Sequence, residues 1–412
     1  MSQPAFPELL APAGNMEKLA MAIHYGADAV YLGGPGYGLR ARAGTFEGEM
    51  LAQAIRYAHA RGVQVYVTVN IFAHNRDLDA LPDYLRSLDR YGADGIIVAD
   101  PGVLHIARAT VPRLALHLST QANVTNYASA RFWEEQGIRR LNLARELSLQ
   151  EIRTIRAATD LEIEVFVHGA LCISYSGRCM LSSYLTGRDA NRGDCAHPCR
   201  YSYHLVEEKR PGQFFPVEED DRGTYIFNSS DLCLLGELPR LISAGVDAIK
   251  IEGRMKSVGY VGAVVRLYRA ALDWIQAACD GGENARDLIL PPLFRQEAGK
   301  IGTRGLSENF FQGPPGPDDM DYRQTRHPQR YAPAGIVMQA SPLLIETRHV
   351  IEVGDELEHL GRDIAPARVR IMALRTEQGE AIRRANPGNR VFPALEPPLD
   401  HPDKLDLLRR KL

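Results

Sequence analysis

Along the first 250 residues the apolar positions follow one recurring phrase: hydrophobic residues at helical spacing, a glycine, then a short unbroken run of Val, Ile and Leu. It appears as HYGADAVYLGG around Gly26, ARGVQVYVTVN at Gly62, RYGADGIIVAD at Gly92, EQGIRRLNLAR at Gly137 and SAGVDAIKIEG at Gly245. Glycine suits the left-handed position that closes a helix, and a continuous apolar run suits a strand buried on both faces. Adding ELLAP (Glu8 to Pro12), ALHLSTQ (Ala115 to Gln121) and IEVFVHG (Ile163 to Gly169) gives eight strands before Gly253. Eight alternating units over roughly 250 residues predict an α/β fold, a (β/α)8 TIM-like barrel. An open doubly wound sheet is the alternative, because strand count does not show closure.

Between the seventh and eighth strands the pattern is interrupted by a long insertion, 171–240, far beyond the two to six residues usual for a βα loop. Its middle reads as a hairpin with a charged tip, which returns Cys233 toward the residues before it. After the eighth strand, SVGYVGAVVRLYRAALDWIQAA (Ser257 to Ala278) carries apolar positions at helical spacing and predicts a helix covering the barrel. The Pro, Asp and Gly-rich stretch 312–330 lacks periodicity and reads as a linker, so the barrel domain is expected over 1–311. Over 331–412 short alternating runs separated by turn residues predict a small antiparallel β-barrel. Within it, residues 365–392 hold six arginines against two glutamates, a patch that suits RNA or simply solvent.

Composition narrows the class only a little. With 45% hydrophobic and 24% charged residues among 412, the chain reads as ordinary globular protein. The net charge of -3 gives no global attraction to nucleic acid, so an RNA partner would need a local basic face. The N-terminus lacks a basic segment followed by an apolar one, and no run approaches the roughly 18 apolar residues of a spanning helix, so the expectation is a cytoplasmic protein with no membrane partner.

Cysteine changes the picture more. Five of the six, Cys172, Cys179, Cys195, Cys199 and Cys233, fall within 172–233, amid Gly, Ser, Arg, Asp and Asn; Cys279 lies apart on the covering helix and reads as core. Clustered thiolates in a reducing compartment point to a soft metal rather than to disulfides. The spacing C-x6-C-x15-C-x3-C-x33-C lacks the paired C-x2-C knuckles of a zinc ribbon and suits an iron-sulfur cluster. Zinc and a metal-free redox thiol are the alternatives. Five cysteines for four positions leave Cys199 and Cys233 competing for the last.

In a barrel the loops after the strands share one face. There the sequence places the catalytic candidates His168, Glu146 and Glu252, carboxylates and an imidazole suited to proton transfer or metal ligation. The substrate-binding candidates on that face are Gln121, Arg145 and Arg254. The segment GGPGYGLRAR ends in Arg40 and Arg42, and glycine amides with bidentate guanidinium groups suit an anionic small molecule; its spacing is not that of a dinucleotide fingerprint.

Glu164 to Ser182 matches the signature E-x-F-x2-G-[SA]-[LIVM]-C-x4-G-x-C-x-[LIVM]-S at every fixed position. The chain thereby resembles the collagenase-like peptidase family of unassigned catalytic type, through DANRGDCAHPCR, YIFNSSDLCLL and IKIEGRMKS as well. The resemblance is nearest to the branch that hydroxylates tRNA, and it implies formation of 5-hydroxyuridine at the wobble position with prephenate as a required metabolite. It also implies a cluster of the 4Fe-4S type held by Cys172, Cys179, Cys195 and Cys233, with Cys199 as the alternative fourth ligand. tRNA and a prephenate-like acid are the implied partners, and a partner protein of the same family is a further expectation. The rival functions are a cysteine- or metal-dependent peptidase and an RNA-binding or maturation factor with a structural metal. Neither H-E-x-x-H nor G-x-S-x-G occurs, which leaves a Cys172/His168 dyad as the peptidase candidate.

Overall fold

A computed structural model of the chain describes residues 6–39, 46–171, 179–188, 190, 193–198, 205–206, 214–215, 218–220, 223–225, 230–302, 305–313 and 330–412. The predicted strands form as β1 (Glu8–Pro12), β2 (Ala29–Gly33), β3 (Gln64–Val69), β4 (Gly95–Val98), β5 (Ala115–Leu118), β6 (Arg140–Asn142) and β7 (Glu162–Gly169). After the insertion come β8 (Asp231–Cys233) and β9 (Ala248–Ile251). Strands β1 to β7 pair in parallel in sequence order, and β9 closes the ring by pairing in parallel with both β7 and β1. The sheet is therefore a closed eight-stranded barrel, and the open alternative is excluded. All five glycines that punctuate the repeat have positive φ, between 73° and 90°.

The main core lies between strands and outer helices, where Leu9, Val30, Val67, Ile96, Leu118 and Ile249 meet the helical faces. Inside the ring the apolar cluster is small, namely Leu10, Ala29, Tyr31, Tyr66 and Ile97. The remaining interior is charged. Lys250 Nζ lies 2.7 Å from Glu164, and Arg140 pairs with Glu8 at 2.6 Å and Glu162 at 2.7 Å. Burial raises the Glu8 carboxyl above its ordinary range, and burial holds His117 well below the usual imidazole range, as the charges of Arg140 and Lys250 also do.

Strand β8 lies outside the ring, antiparallel to β7, with Cys233 opposite His168. The short strand β10 (Leu306–Ser307) continues that edge beside β8. In the insertion, two short antiparallel pairs form, Leu205–Val206 with Phe214–Phe215 and Glu218–Asp220 with Gly223–Tyr225. The predicted covering helix spans Val258–Asp280, with Cys279 buried on it.

The C-terminal unit is the predicted small barrel. Strands β11 (Tyr331–Gln339), β12 (Leu344–Thr347), β13 (Glu356–Leu360), β14 (Ala367–Thr376), β15 (Arg390–Glu396) and β16 (Leu407–Lys411) pair in the order β13-β16-β11-β12-β15-β14, and β13 meets β14 to close it. Three of the arginines in 365–392 are in ion pairs, Arg370 with Glu356, Arg384 with Glu352 and Arg390 with Glu346.

The two units are locked by polar contacts that no local sequence pattern announces. Tyr25 donates its hydroxyl to Leu360 O at 2.6 Å and accepts from Leu407 N at 2.8 Å. Asp406 receives His24 Nε2 at 2.8 Å and His359 Nε2 at 2.7 Å. Arg409 bridges Glu297 and Glu358, and Lys300 contacts the same two carboxylates. Ion pairs out of water contribute net stability only when every partner is satisfied, and removing one member of such a set costs about 3 to 5 kcal/mol.

Burial alone would raise the Asp406 carboxyl, but hydrogen bonds from His24 and His359 hold it far below the ordinary range. A carboxyl depressed in the folded state contributes stability that is present above its unfolded pKa of about 4 and is lost as pH falls through the folded value. Asp406→Asn is expected to lower unfolding free energy at pH 7 by about 3 kcal/mol and to flatten the acid limb of the stability curve. Urea titration at a series of pH values checks this. An unchanged acid limb would show that the carboxylate contributes nothing to the lock.

Candidate active site at the barrel mouth

At the C-terminal ends of the strands a cavity is lined by four of the predicted residues, Gln121, Arg145, Glu252 and Arg254. Asn70, expected on this face after the third strand, lines it as well, and the sequence-based reading missed Tyr31, Thr68, Asn142 and Lys250, which line it too. For Lys250 there was a signal, a lysine alone inside the apolar strand AIKI, at a position whose parity turns it into the ring.

Each charged group is held from behind. Arg254 is 2% exposed and donates from Nη1 to Thr68 Oγ1 at 3.0 Å. A Cβ on Gly33 would lie 2.6 Å from that guanidinium nitrogen, and one on Gly34 would lie 2.1 Å from the Tyr84 hydroxyl. These glycines of GGPGYG thus make room for side chains, a role distinct from the amide cradle expected of the stretch. Arg145 donates to Ala170 O at 2.7 Å and stacks 4.1 Å over Phe166. Lys250, paired to Glu164, sits 4.6 Å above the Tyr31 ring. The Tyr31 hydroxyl meets Ile251 O at 3.0 Å and Glu252 Oε2 at 3.3 Å, which fixes the carboxylate at the rim.

Arg145, Lys250 and Arg254 supply three positive charges against Glu252 and the underlying Glu164. These cationic groups converge at the barrel mouth, where partial burial strengthens their attraction for an anionic group. Asn142 Oδ1 and Arg145 Nε are buried without hydrogen-bond partners among the described residues, so the site carries polar capacity that its described walls do not satisfy. Asn70 has a different job: it accepts from Leu39 N at 3.2 Å and donates to Ser119 Oγ at 3.1 Å, tying two of the mouth loops together.

The other candidates lie elsewhere. His168 does not line this cavity; it is 2% exposed, and its Nδ1 lies 3.3 Å from the Tyr268 hydroxyl. Burial pushes its pKa down to about 4, so the ring is neutral near pH 7. Glu146 follows β6 but is not among the cavity-lining residues, and its Oε2 is buried without a partner among the described residues. Arg40, Arg42, Cys172 and Cys199 lie outside the described residues.

Cys179, Cys195 and Cys233 are partly buried. The Cys195 sulfur accepts from His197 N at 3.3 Å. Burial raises the Cys233 thiol pKa, while a hydrogen bond from the Leu235 backbone acts in the opposite direction. Two candidate ligands therefore share one arrangement, a backbone amide two residues on pointing at the sulfur. Cys233 also borders a cavity of about 600 Å³ on the barrel flank, with Phe294, Arg295 and Asn309. Among the described residues no three metal-binding side chains are gathered around one point, and none of their helices is long and apolar enough to cross a membrane.

Comparison with known proteins adds identity to this geometry. Over 383 residues the chain is 40% identical to tRNA hydroxylation protein P1 of Bacillus subtilis, covering 92% of this chain and 89% of that one. It is 41% identical over 307 residues to tRNA hydroxylation protein P of Escherichia coli, covering 65% and 68% of the two chains. The 23S rRNA 5-hydroxycytidine C2501 synthase of Escherichia coli is 40% identical over 268 residues, covering 65% of this chain and 39% of that one. The family model described as Peptidase family U32 matches residues 14–321, and that of its C-terminal domain matches 329–409. With both units matched in order along nearly the whole chain, the protein belongs to peptidase family U32.

Proposed function

We propose that this protein is an RNA hydroxylase that forms 5-hydroxyuridine at the tRNA wobble position, using a prephenate-like small acid and an iron-sulfur cluster. The observation that carries the reading is the 40% identity, over 92% of the chain, to a relative named for tRNA hydroxylation. A ribosomal RNA relative is named for 5-hydroxycytidine formation, which supports carbon 5 of a pyrimidine as the target.

Cys172, Cys179, Cys195 and Cys233 would hold the cluster, with Cys199 as the alternative fourth ligand. The donor set fits: thiolates suit iron-sulfur chemistry, and amides directed at the sulfurs of Cys195 and Cys233 favour the charged form that a ligand requires. When bound, such a cluster supplies one-electron chemistry. The chain's other groups do the positioning. Arg145, Lys250 and Arg254 place positive charge where a carboxylate of the small acid would sit, and Arg40 and Arg42 are assigned to its remaining anionic groups. Gln121 is assigned to the same ligand from the cavity wall. Replacing the C5 hydrogen of uracil by hydroxyl is a two-electron oxidation that needs an oxygen donor and an electron acceptor besides the chain's own groups; to Glu252, held at the rim by Tyr31, is assigned uptake of the proton that leaves carbon 5. Glu146 is the second candidate for proton transfer, and His168 is assigned a supporting role because its ring is buried against Tyr268. That burial also weighs against a Cys172/His168 peptidase dyad, since it lowers the proton affinity of an imidazole whose Nδ1 already meets Tyr268, leaving a weak base for a thiol.

Protein purified without oxygen is expected to be brown with about four irons per chain, and Cys179→Ser or Cys195→Ser should bleach the absorption band. Colourless protein carrying a single zinc would reject the cluster. Incubation of holoprotein with unmodified tRNA and prephenate should add one oxygen to wobble uridine, read by nucleoside mass spectrometry; release of peptide products with no RNA change would favour the peptidase instead. Arg145→Gln, outside the charge layer that closes the ring, should raise the concentration of acid needed for half-maximal activity by about tenfold or more, on the order of 1.4 kcal/mol or greater, while iron content stays constant. An unchanged requirement for the acid would remove Arg145 from the binding site.

A further inference from the structure

Outside the ring, at the mouth end of β7, the barrel flank carries a second polar arrangement that the positioning of substrate does not use. From the helix Val258–Asp280 the Tyr268 hydroxyl reaches the edge where β7 meets β8, with 0% of the residue exposed. Its hydroxyl donates to Val167 O at 2.7 Å, lies 3.3 Å from His168 Nδ1 and is 4.0 Å from Cys233 Sγ. A phenol has one hydrogen and can accept as well as donate. Val167 O does not depend on it, because Leu234 N donates to the same oxygen at 2.8 Å. The phenol hydrogen can therefore turn away without stranding a buried carbonyl.

We propose that Tyr268 is a positioning residue for the Cys233 sulfur, donating its hydroxyl hydrogen to that sulfur when it is a thiolate ligand, with His168 Nδ1–H holding the phenol oxygen in place. The inference rests on the reading that Cys233 ligates an iron-sulfur cluster. In the thiol form the S–H faces the phenol oxygen and the phenol hydrogen stays on Val167 O. A thiolate has no hydrogen to give and can only accept, so the hydroxyl turns to it and the bond becomes charge-assisted. Together with the Leu235 amide this gives Cys233 two donors, one backbone and one side chain. Hydrogen bonds to cluster sulfurs are one of the protein's means of setting reduction potential, and a donor favours the more negative, reduced state. The neutral, buried His168 thereby acquires a role through Tyr268 rather than through contact with substrate.

The test uses anaerobically purified holoprotein. Tyr268→Phe keeps the ring and removes only the hydroxyl. The expected result is unchanged iron per chain, a cluster midpoint potential shifted to more negative values, and Fe–S stretching bands that lose part of their sensitivity to deuterium oxide in resonance Raman spectra. An iron-loaded variant with the wild-type potential and isotope shift would overturn the proposal while leaving the cluster intact. Should the variant fail to fold, the wild-type protein decides: Fe–S bands that do not move in deuterium oxide overturn the assignment, and bands that move in wild type and in Cys199→Ser but are altered in Cys233→Ser support it. Wild-type protein without iron would sink both this inference and the cluster reading beneath it.

Discussion

The barrel depends on a layer of charge buried inside its ring. Lys250 and Glu164 stand on β9 and β7, the two strands whose pairing completes the closure, and Arg140 on β6 reaches Glu8 on β1 across the interior. Ions taken out of water are tolerated only when paired, so the layer admits one register. A slip of β9 by one residue would turn Lys250 toward the helices and Ile249 into the ring, exposing each to the wrong surroundings. The same register sets Glu252 and Arg254 at the mouth, immediately beyond Ile251. Closure of the fold and assembly of the site are thus one event.

The flank of β7 shows how a long insertion is brought to the barrel without entering it. Strand β8 returns antiparallel and places Cys233 opposite His168, while the covering helix contributes Tyr268 from the third side. Signature residues consequently serve two places. Glu164 and Phe166 face the interior near the mouth, where Phe166 supports Arg145, whereas His168 turns to the flank and the cysteine. The C-terminal barrel braces this assembly from outside: Tyr25, Arg266 and Glu297 of the first unit meet Leu360, Gly361 and Arg409 of the second, so the helix carrying Tyr268 is clamped on both faces.

The sequence by itself determined the number, kind and order of the elements. The glycine-closed repeat required helices ending in a left-handed residue and strands with two buried faces, and alternating runs after residue 331 required a small antiparallel sheet; these are local constraints of backbone geometry and period. Arg145, Glu252 and Arg254 were legible at the mouth because position just after a strand is itself local. Tertiary structure alone decided which side chains meet. Strand parity turned Lys250 inward, and packing showed that Gly33 clears space for Arg254. His168, which local position had placed with the mouth, was drawn to Tyr268, a residue 100 positions away. The lock between the units joins His24 to Asp406 over 382 positions. Such partners share no spacing in the chain; closure of the ring and the need to satisfy every buried polar group select them, and both are properties of the whole fold.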